Sequence, residues 1–222
     1  MTIRALLFDF DGLILDTESP MRAAWLETFA DHGLAVSEEQ WASLLGASAD
    51  PPEAYELLEK HLKSRIDRVA IHHRVMAREL EFLEAEDVLP GVRELIRAAQ
   101  AAGLRLAVAS SSERAWVTTL LSQHNLMDFF DTVVCAEDVA RTKPSPDLFL
   151  RALENLDVAA SEAIVFEDSE HGIRAARSAG IFSVAVPNNV TKCLPFRDAD
   201  LIVTSIADYT LAQYAEHVPS AQ

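Results

Sequence analysis

Short apolar runs that end in small or polar residues alternate along this chain with stretches of helical periodicity. The first run, residues 3–8 (Ile-Arg-Ala-Leu-Leu-Phe), leads into Asp-Phe-Asp-Gly. A run of that length closed by a turn signal predicts a buried strand. Comparable strands are predicted at 104–109, 132–135, 163–166, 181–186 and 201–203. Between them Val92, Leu95, Ile96 and Ala99 recur at helical spacing, and Gly103 stands where a helix C′ glycine belongs. Leu148, Phe149, Ala152, Leu153 and Leu156 repeat the pattern, as do Ile173, Ala176 and Ala179 ahead of Gly180. Strands alternating with helices predict an α/β fold with a doubly wound parallel sheet.

One stretch departs from the alternation. From about residue 18 to 86 the pattern is helical throughout, with a capping-box start at Ser37-Glu38-Glu39-Gln40 and helices over 54–63 and 66–83. Pro90-Gly91 then reopens the α/β pattern. The expected organisation is a catalytic core of residues 1–16 and 87–222 carrying an inserted α-helical cap domain, 17–86. Trp25, Trp41 and Tyr55 fit the core of that cap better than a pocket wall. His72 and His73 are adjacent on a helix and point about 100° apart, which disfavours a shared metal.

Composition narrows the function classes. The formal net charge is −16, with the 19 Lys and Arg scattered along the chain, so neither nucleic acid nor an anionic membrane is an expected partner. No apolar stretch approaches the roughly 20 residues that span a bilayer, and the first apolar run is broken by Asp9 and Asp11. Two cysteines, Cys135 and Cys193, make neither a disulfide framework nor a zinc site. A reducing cytoplasm is the expected location.

The acids carry the chemistry. Asp9 and Asp11 stand two apart at a strand end, so their side chains leave on one face, and Gly12 lets the chain turn. The carboxyl edge of a parallel sheet is where open α/β folds bind ligands. Asp-x-Asp-Gly also occurs in plain turns, but Glu167-Asp168 ends a second apolar strand and should reach the same edge. Four gathered carboxylates raise one another's pKa values unless a cation intervenes, and Mg²⁺ suits such oxygen donors. Ser110 ends another strand, and Ser110-Ser111-Ser112 leads into a helix whose N-terminus suits a phosphoryl oxygen, though Ser112 also fits a plain N-cap. Lys143, in the loop before the helix at 146–156, supplies the cation that phosphate and carboxylates require.

Taken in order, these residues resemble the haloacid dehalogenase superfamily of phosphohydrolases, in the subgroup with a helical cap after the first strand. Asp9-Phe10-Asp11-Gly12 matches the first motif, Ser110 the second, Lys143 the third and Glu167-Asp168 the fourth. Gly172 and Leu89-Pro90-Gly91 also fit, and residues 11–18 are most like the sugar-phosphate phosphatase and β-phosphoglucomutase branch. The resemblance implies a Mg²⁺-dependent phosphoric monoester hydrolase acting on a small phosphorylated metabolite. Asp9 would be the nucleophile that forms an aspartyl-phosphate, and Asp11 the acid and base. Ser110 and Lys143 would neutralise the phosphoryl oxygens. Asp9, the backbone carbonyl of Asp11 and Asp168 would hold the metal, with Glu167 acting through water. Ser111, Arg114, Leu45 and Ser48 are candidate substrate contacts. The cap would close over the acids and exclude water, and the protein is expected as a monomer or homodimer.

Departures from the mutase pattern favour hydrolysis. Met21 stands where those enzymes carry a cap-hinge histidine, and the loop Leu44–Ala49 has no cation to hold a second phosphate. A substrate with one phosphate is therefore expected, with a phosphosugar mutase as the alternative. A non-enzymatic phospho-acceptor or metabolite-binding protein is the alternative from another class. Dehalogenases lack the second aspartate, so Asp11 speaks against that activity.

Overall fold

The computed structural model describes residues 3–37, 40–41, 52–84 and 86–219. The chain divides into two units, one of Met1–Leu15 with Asp87–Gln222 and one of Asp16–Glu86. The expected contacts Leu45 and Ser48 lie outside the described residues. Among the described residues, no helix is long and apolar enough to cross a membrane.

The first unit is a six-stranded parallel sheet, β1 (Ala5–Phe8), β2 (Arg105–Ala109), β3 (Thr132–Val134), β4 (Ala163–Glu167), β5 (Phe182–Ala185) and β6 (Leu201–Ile202). Their order is β3-β2-β1-β4-β5-β6. The chain winds outward from β1 to β3, then returns to β4 on the other side of β1. Strand order therefore reverses between β1 and β4, the place in open α/β sheets where ligands bind beyond the carboxyl ends. In the register, Ala5 faces Ala163 and Phe8 faces Phe166, so Asp9 and Glu167 follow as neighbours just past the last pair.

Parallel strands covered on both faces read as continuous apolar runs rather than alternations, and β1 and β4 are buried at every position. On one face Leu7, Ala107, Ala109 and Val165 pack with α6 (Asp147–Leu156) and α7 (Glu170–Ser178) through Leu148, Phe149, Ala152, Ala175 and Ala176. Small residues in the sheet let these helices lie close. On the other face Phe8 stacks on Phe166 with ring centroids 5.2 Å apart, and Phe166 meets Tyr214 of α8 (Leu211–His217) edge-on at 4.9 Å. Each such buried ring contributes roughly 2–3 kcal/mol of transfer free energy. The unit also contains the helices α4 (Val92–Ala101) and α5 (Arg114–Gln123). The six expected strands are all present; five are shorter by one or two residues, and β4 runs one residue further, to Glu167.

The second unit contains α1 (Glu18–Asp31), α2 (Pro52–Leu62) and α3 (Arg68–Leu83). Its core joins Met21, Trp25, Phe29, Trp41, Tyr55, Leu58 and Val75. The three aromatic residues weighed as pocket walls are thus core, with Trp25 edge-on to Tyr55 at 4.8 Å. The expected capping box is formed, Ser37 Oγ accepting from the Gln40 amide at 3.2 Å and the Ser37 amide donating to Gln40 Oε1 at 2.9 Å. His72 lies 3.3 Å from the Tyr55 hydroxyl, and His73 is exposed.

Candidate active site

Asp9 follows β1 directly, and its amide continues the ladder by donating to Phe166 O at 3.0 Å. That bond ties the first acidic turn to β4, whose last residue is Glu167. Asp9, Glu167 and Asp168 are all buried, and one carboxylate oxygen from each lies within 4.8 Å of the others.

Lys143 reaches this cluster from the loop ahead of α6. Its side chain is 5% exposed, and its ammonium contacts Asp9 Oδ1 and lies 2.5 Å from Glu167 Oε1. The Phe149 ring stands beside it, 5.1 Å from Nζ to the centroid. Most loop lysines are solvated, so burial here follows from charge pairing. Glu167 Oε1 nevertheless has no partner in hydrogen-bond geometry, while Oε2 accepts from the Ser169 amide at 3.2 Å and hydroxyl at 3.0 Å.

Space around Glu167 is tight. A Cβ at Gly172 would stand 1.8 Å from the Glu167 carboxyl, so any larger residue where α7 begins would force this buried acid to move. Ser169 caps the helix through its hydroxyl, which accepts from the Gly172 amide. Those features connect the strand-end acid, the cap and the glycine in one local arrangement.

The electrostatics are those of an unbalanced site. Burial, then the charge of Glu167, pushes Asp9 from its ordinary 3.8 up to about 7, with Lys143 opposing and Asp11 adding to the rise. Burial also works against the Lys143 charge, but Asp9 and Glu167 outweigh it and hold the ammonium above its ordinary pKa. One lysine offsets only part of three buried carboxylates. The hard oxygen donors of the three buried acids and their spacing fit a divalent ion such as Mg²⁺.

Asp11 is engaged elsewhere. Its Oδ2 accepts from Ser112 Oγ at 2.6 Å and more distantly from Ser110 Oγ at 3.4 Å, and its Oδ1 accepts from Trp116 Nε1 at 2.9 Å. The two aspartates leave the same turn, yet Asp9 faces the β4 acids while Asp11 faces the start of α5. Ser110 is buried at the end of β2, its amide donating to Val134 O and its hydroxyl accepting from the Ser112 amide. The helix N-cap is Glu113, without a side-chain cap bond, so Ser112 is not the plain cap that its sequence position allowed.

Of the expected substrate contacts, Ser111 is exposed. Arg114 is committed to the protein, its guanidinium donating to Asp138 and to Val133 O, and its amide to Glu137. Trp116 and Asn188 were not anticipated. Trp116 lies in the first turn of α5, just after the serine run, but nothing in the sequence tied its indole to Asp11. Asn188 lies in the irregular loop after β5, where nothing in the pattern marked it.

Known proteins resemble this chain over most of its length. The family pattern of haloacid dehalogenase-like hydrolases matches residues 6–186. YhcW of Bacillus subtilis is 38% identical over 98% of this chain and 99% of its own. The fructose-1-phosphate phosphatase YqaB of Escherichia coli is 34% identical over 82% of this chain and 95% of its own. Among solved structures, a CbbY variant from Rhodobacter sphaeroides in complex with xylulose-1,5-bisphosphate superposes with a TM-score of 0.77. It is 30% identical and aligns over 99% of this chain and 100% of that one. With the pattern running through most of its length and near-complete alignment to such relatives, the chain belongs to the haloacid dehalogenase-like hydrolases.

Proposed function

We propose that this protein is a Mg²⁺-dependent phosphatase of small phosphorylated metabolites, working through an aspartyl-phosphate on Asp9. The observation that carries the proposal is the convergence of Asp9, Glu167 and Asp168 with Lys143 at the strand-order reversal between β1 and β4.

A carboxylate oxygen of Asp9 attacks phosphorus as the ester oxygen departs, splitting one hard displacement into two easier ones. Asp11 delivers a proton to the departing alkoxide, then takes one from the water that hydrolyses the acyl-phosphate. The donors on Asp11, Ser112 and Trp116, set its carboxylate beside the start of α5. Lys143 and the Ser110 hydroxyl stabilise charge on the transferring oxygens, the main task in phosphoryl transfer. Lys143 also favours the ionised, nucleophilic form of Asp9 against the burial that opposes it. Asp9, Asp168 and Glu167 are the residues that would hold Mg²⁺, which when bound neutralises phosphate charge and the acids together.

A sugar phosphate or related metabolite is the proposed substrate class. The fructose-1-phosphate phosphatase and the bisphosphate-bound CbbY variant put both mono- and bisphosphates on the test panel. The absence of a cation in the sequence Leu44–Ala49 favours one phosphate. A phosphate-release screen with Mg²⁺, using Asp9→Asn as the blank, tests the proposal. Turnover of monophosphates that vanishes in the blank supports it. Equal release by the blank removes Asp9 as nucleophile, and preference for bisphosphates overturns the one-phosphate substrate class.

A further inference from the structure

Asn188 stands in the loop after β5, outside every motif considered above. Its side-chain carbonyl Oδ1 accepts from the Val190 amide at 2.8 Å, the Thr191 amide at 3.0 Å and Thr191 Oγ1 at 3.2 Å. The Asn188 amide returns a bond to Thr191 Oγ1 at 3.0 Å. Three donors converging on one atom identify it as the oxygen, so the NH₂ group must face the opposite way. There it donates to Asp168 Oδ2 at 2.8 Å and reaches Gly12 O at 3.4 Å.

Those two acceptors belong to different turns. Asp168 follows β4, and Gly12 closes the turn that contains Asp9 and Asp11. A single amide therefore spans both acidic motifs at the sheet edge. The junction leaves no spare room, since a Cβ on Gly12 would fall 2.4 Å from Asp168 Oδ2 and 2.6 Å from Asn188 Nδ2. Gly12 has φ of +76°, so its backbone also favours glycine.

We propose that Asn188 is a positioning residue for metal binding, with Thr191 as the group that aims it. Its NH₂ donates to Asp168 Oδ2 and so fixes the rotation of that carboxylate relative to Asp9 and Glu167. Outer partners of this kind orient metal ligands, and losing one costs roughly 10–100-fold in metal affinity. The inference rests on the assignment of Asp168 as a metal ligand made above.

The test is a calorimetric Mg²⁺ titration of the full chain and its variants, with thermal unfolding in EDTA as the measure of fold. Asn188→Ala should raise the Mg²⁺ dissociation constant about 10–100-fold. Thr191→Val should move it in the same direction by less, and Thr191→Ser, which keeps the hydroxyl, should bind like the parent. A structural role alone would lower the unfolding temperature in EDTA without separating Thr191→Val from Thr191→Ser in affinity. Unchanged affinity in both Asn188→Ala and Thr191→Val, with Asp168→Asn impaired, overturns the role of Asn188. Should Asn188→Ala not fold, the two Thr191 variants carry the comparison. Parent and Asp168→Asn binding alike would instead overturn the metal assignment itself.

Discussion

Replacing Asp9 by Asn should stabilise the metal-free protein, and do so more strongly as pH rises. The cause is the raised Asp9 pKa, about 7 against an ordinary 3.8, which burial and the neighbouring Glu167 produce. Between those two values the folded protein holds a proton that the unfolded chain has released. Unfolding then releases protons, so stability falls as pH increases through that window and levels off above about pH 7. At 1.36 kcal/mol per unit, the cost of keeping Asp9 buried grows by roughly 2–3 kcal/mol between about pH 5 and pH 8. Asn cannot titrate, so the pH-dependent part of the difference reports Asp9 together with the two groups in contact with it, Lys143 and Glu167. Urea unfolding of parent and variant in EDTA, at several pH values across the range, measures that difference directly. Saturating Mg²⁺ should then favour the parent, because an ion that binds only the folded state adds stability to whichever protein holds it better. A stability difference in EDTA that stays flat with pH would refute the argument, since it would mean that folded and unfolded Asp9 carry the same charge.

Three further outcomes follow from contacts around the site. Gly172→Ala would drive a methyl into the buried Glu167 carboxyl, and overpacking of that kind costs about 1–3 kcal/mol; calorimetry should find a melting point lower by several degrees, and an unchanged one would contradict the packing. Trp116→Phe removes a donor to Asp11, an interaction to a charged group worth about 1.5–3 kcal/mol. If Asp11 protonates the leaving group, kcat/KM for alkyl phosphates should fall about tenfold or more, and less for p-nitrophenyl phosphate, whose leaving group needs no proton; equal losses would contradict that role. Burial pushes the Cys135 thiol up to about 11, whereas Cys193 is exposed. Titration with a disulfide reagent near pH 8 should label Cys193 in the native chain and Cys135 only after denaturation; fast native labelling of both would contradict the packing of β3.

The strands were legible because parallel strands buried on both faces leave continuous apolar runs that end abruptly, as 163–166 does at Glu167. That both acidic pairs reach one edge of the sheet followed from a parallel arrangement, whereas the strand order itself came from the structure. What escaped was the part of the site held by irregular backbone. Asn188 acts through a loop whose bonds to Val190 and Thr191 have no periodic signature. Ser112 stood at a position where an ordinary N-cap is equally natural, and only the distance to Asp11 decides between the two. Arg114 is a basic residue beside a strand end, which suited a phosphate, yet Asp138 and Glu137 lie close enough in space to engage it. Charge type is readable along a chain, while the partner that satisfies it is a matter of tertiary distance.

The central claim is that Asp9 becomes phosphorylated during turnover. Enzyme quenched in the steady state with a phosphomonoester and Mg²⁺, then reduced with borohydride, can be read by peptide mass mapping. An acyl-phosphate on Asp9 would be converted to homoserine at that position alone, and the conversion would be lost when Mg²⁺ is replaced by EDTA. Homoserine at Asp11 or at another acid, or rapid turnover with no covalent trace on Asp9, would contradict the account.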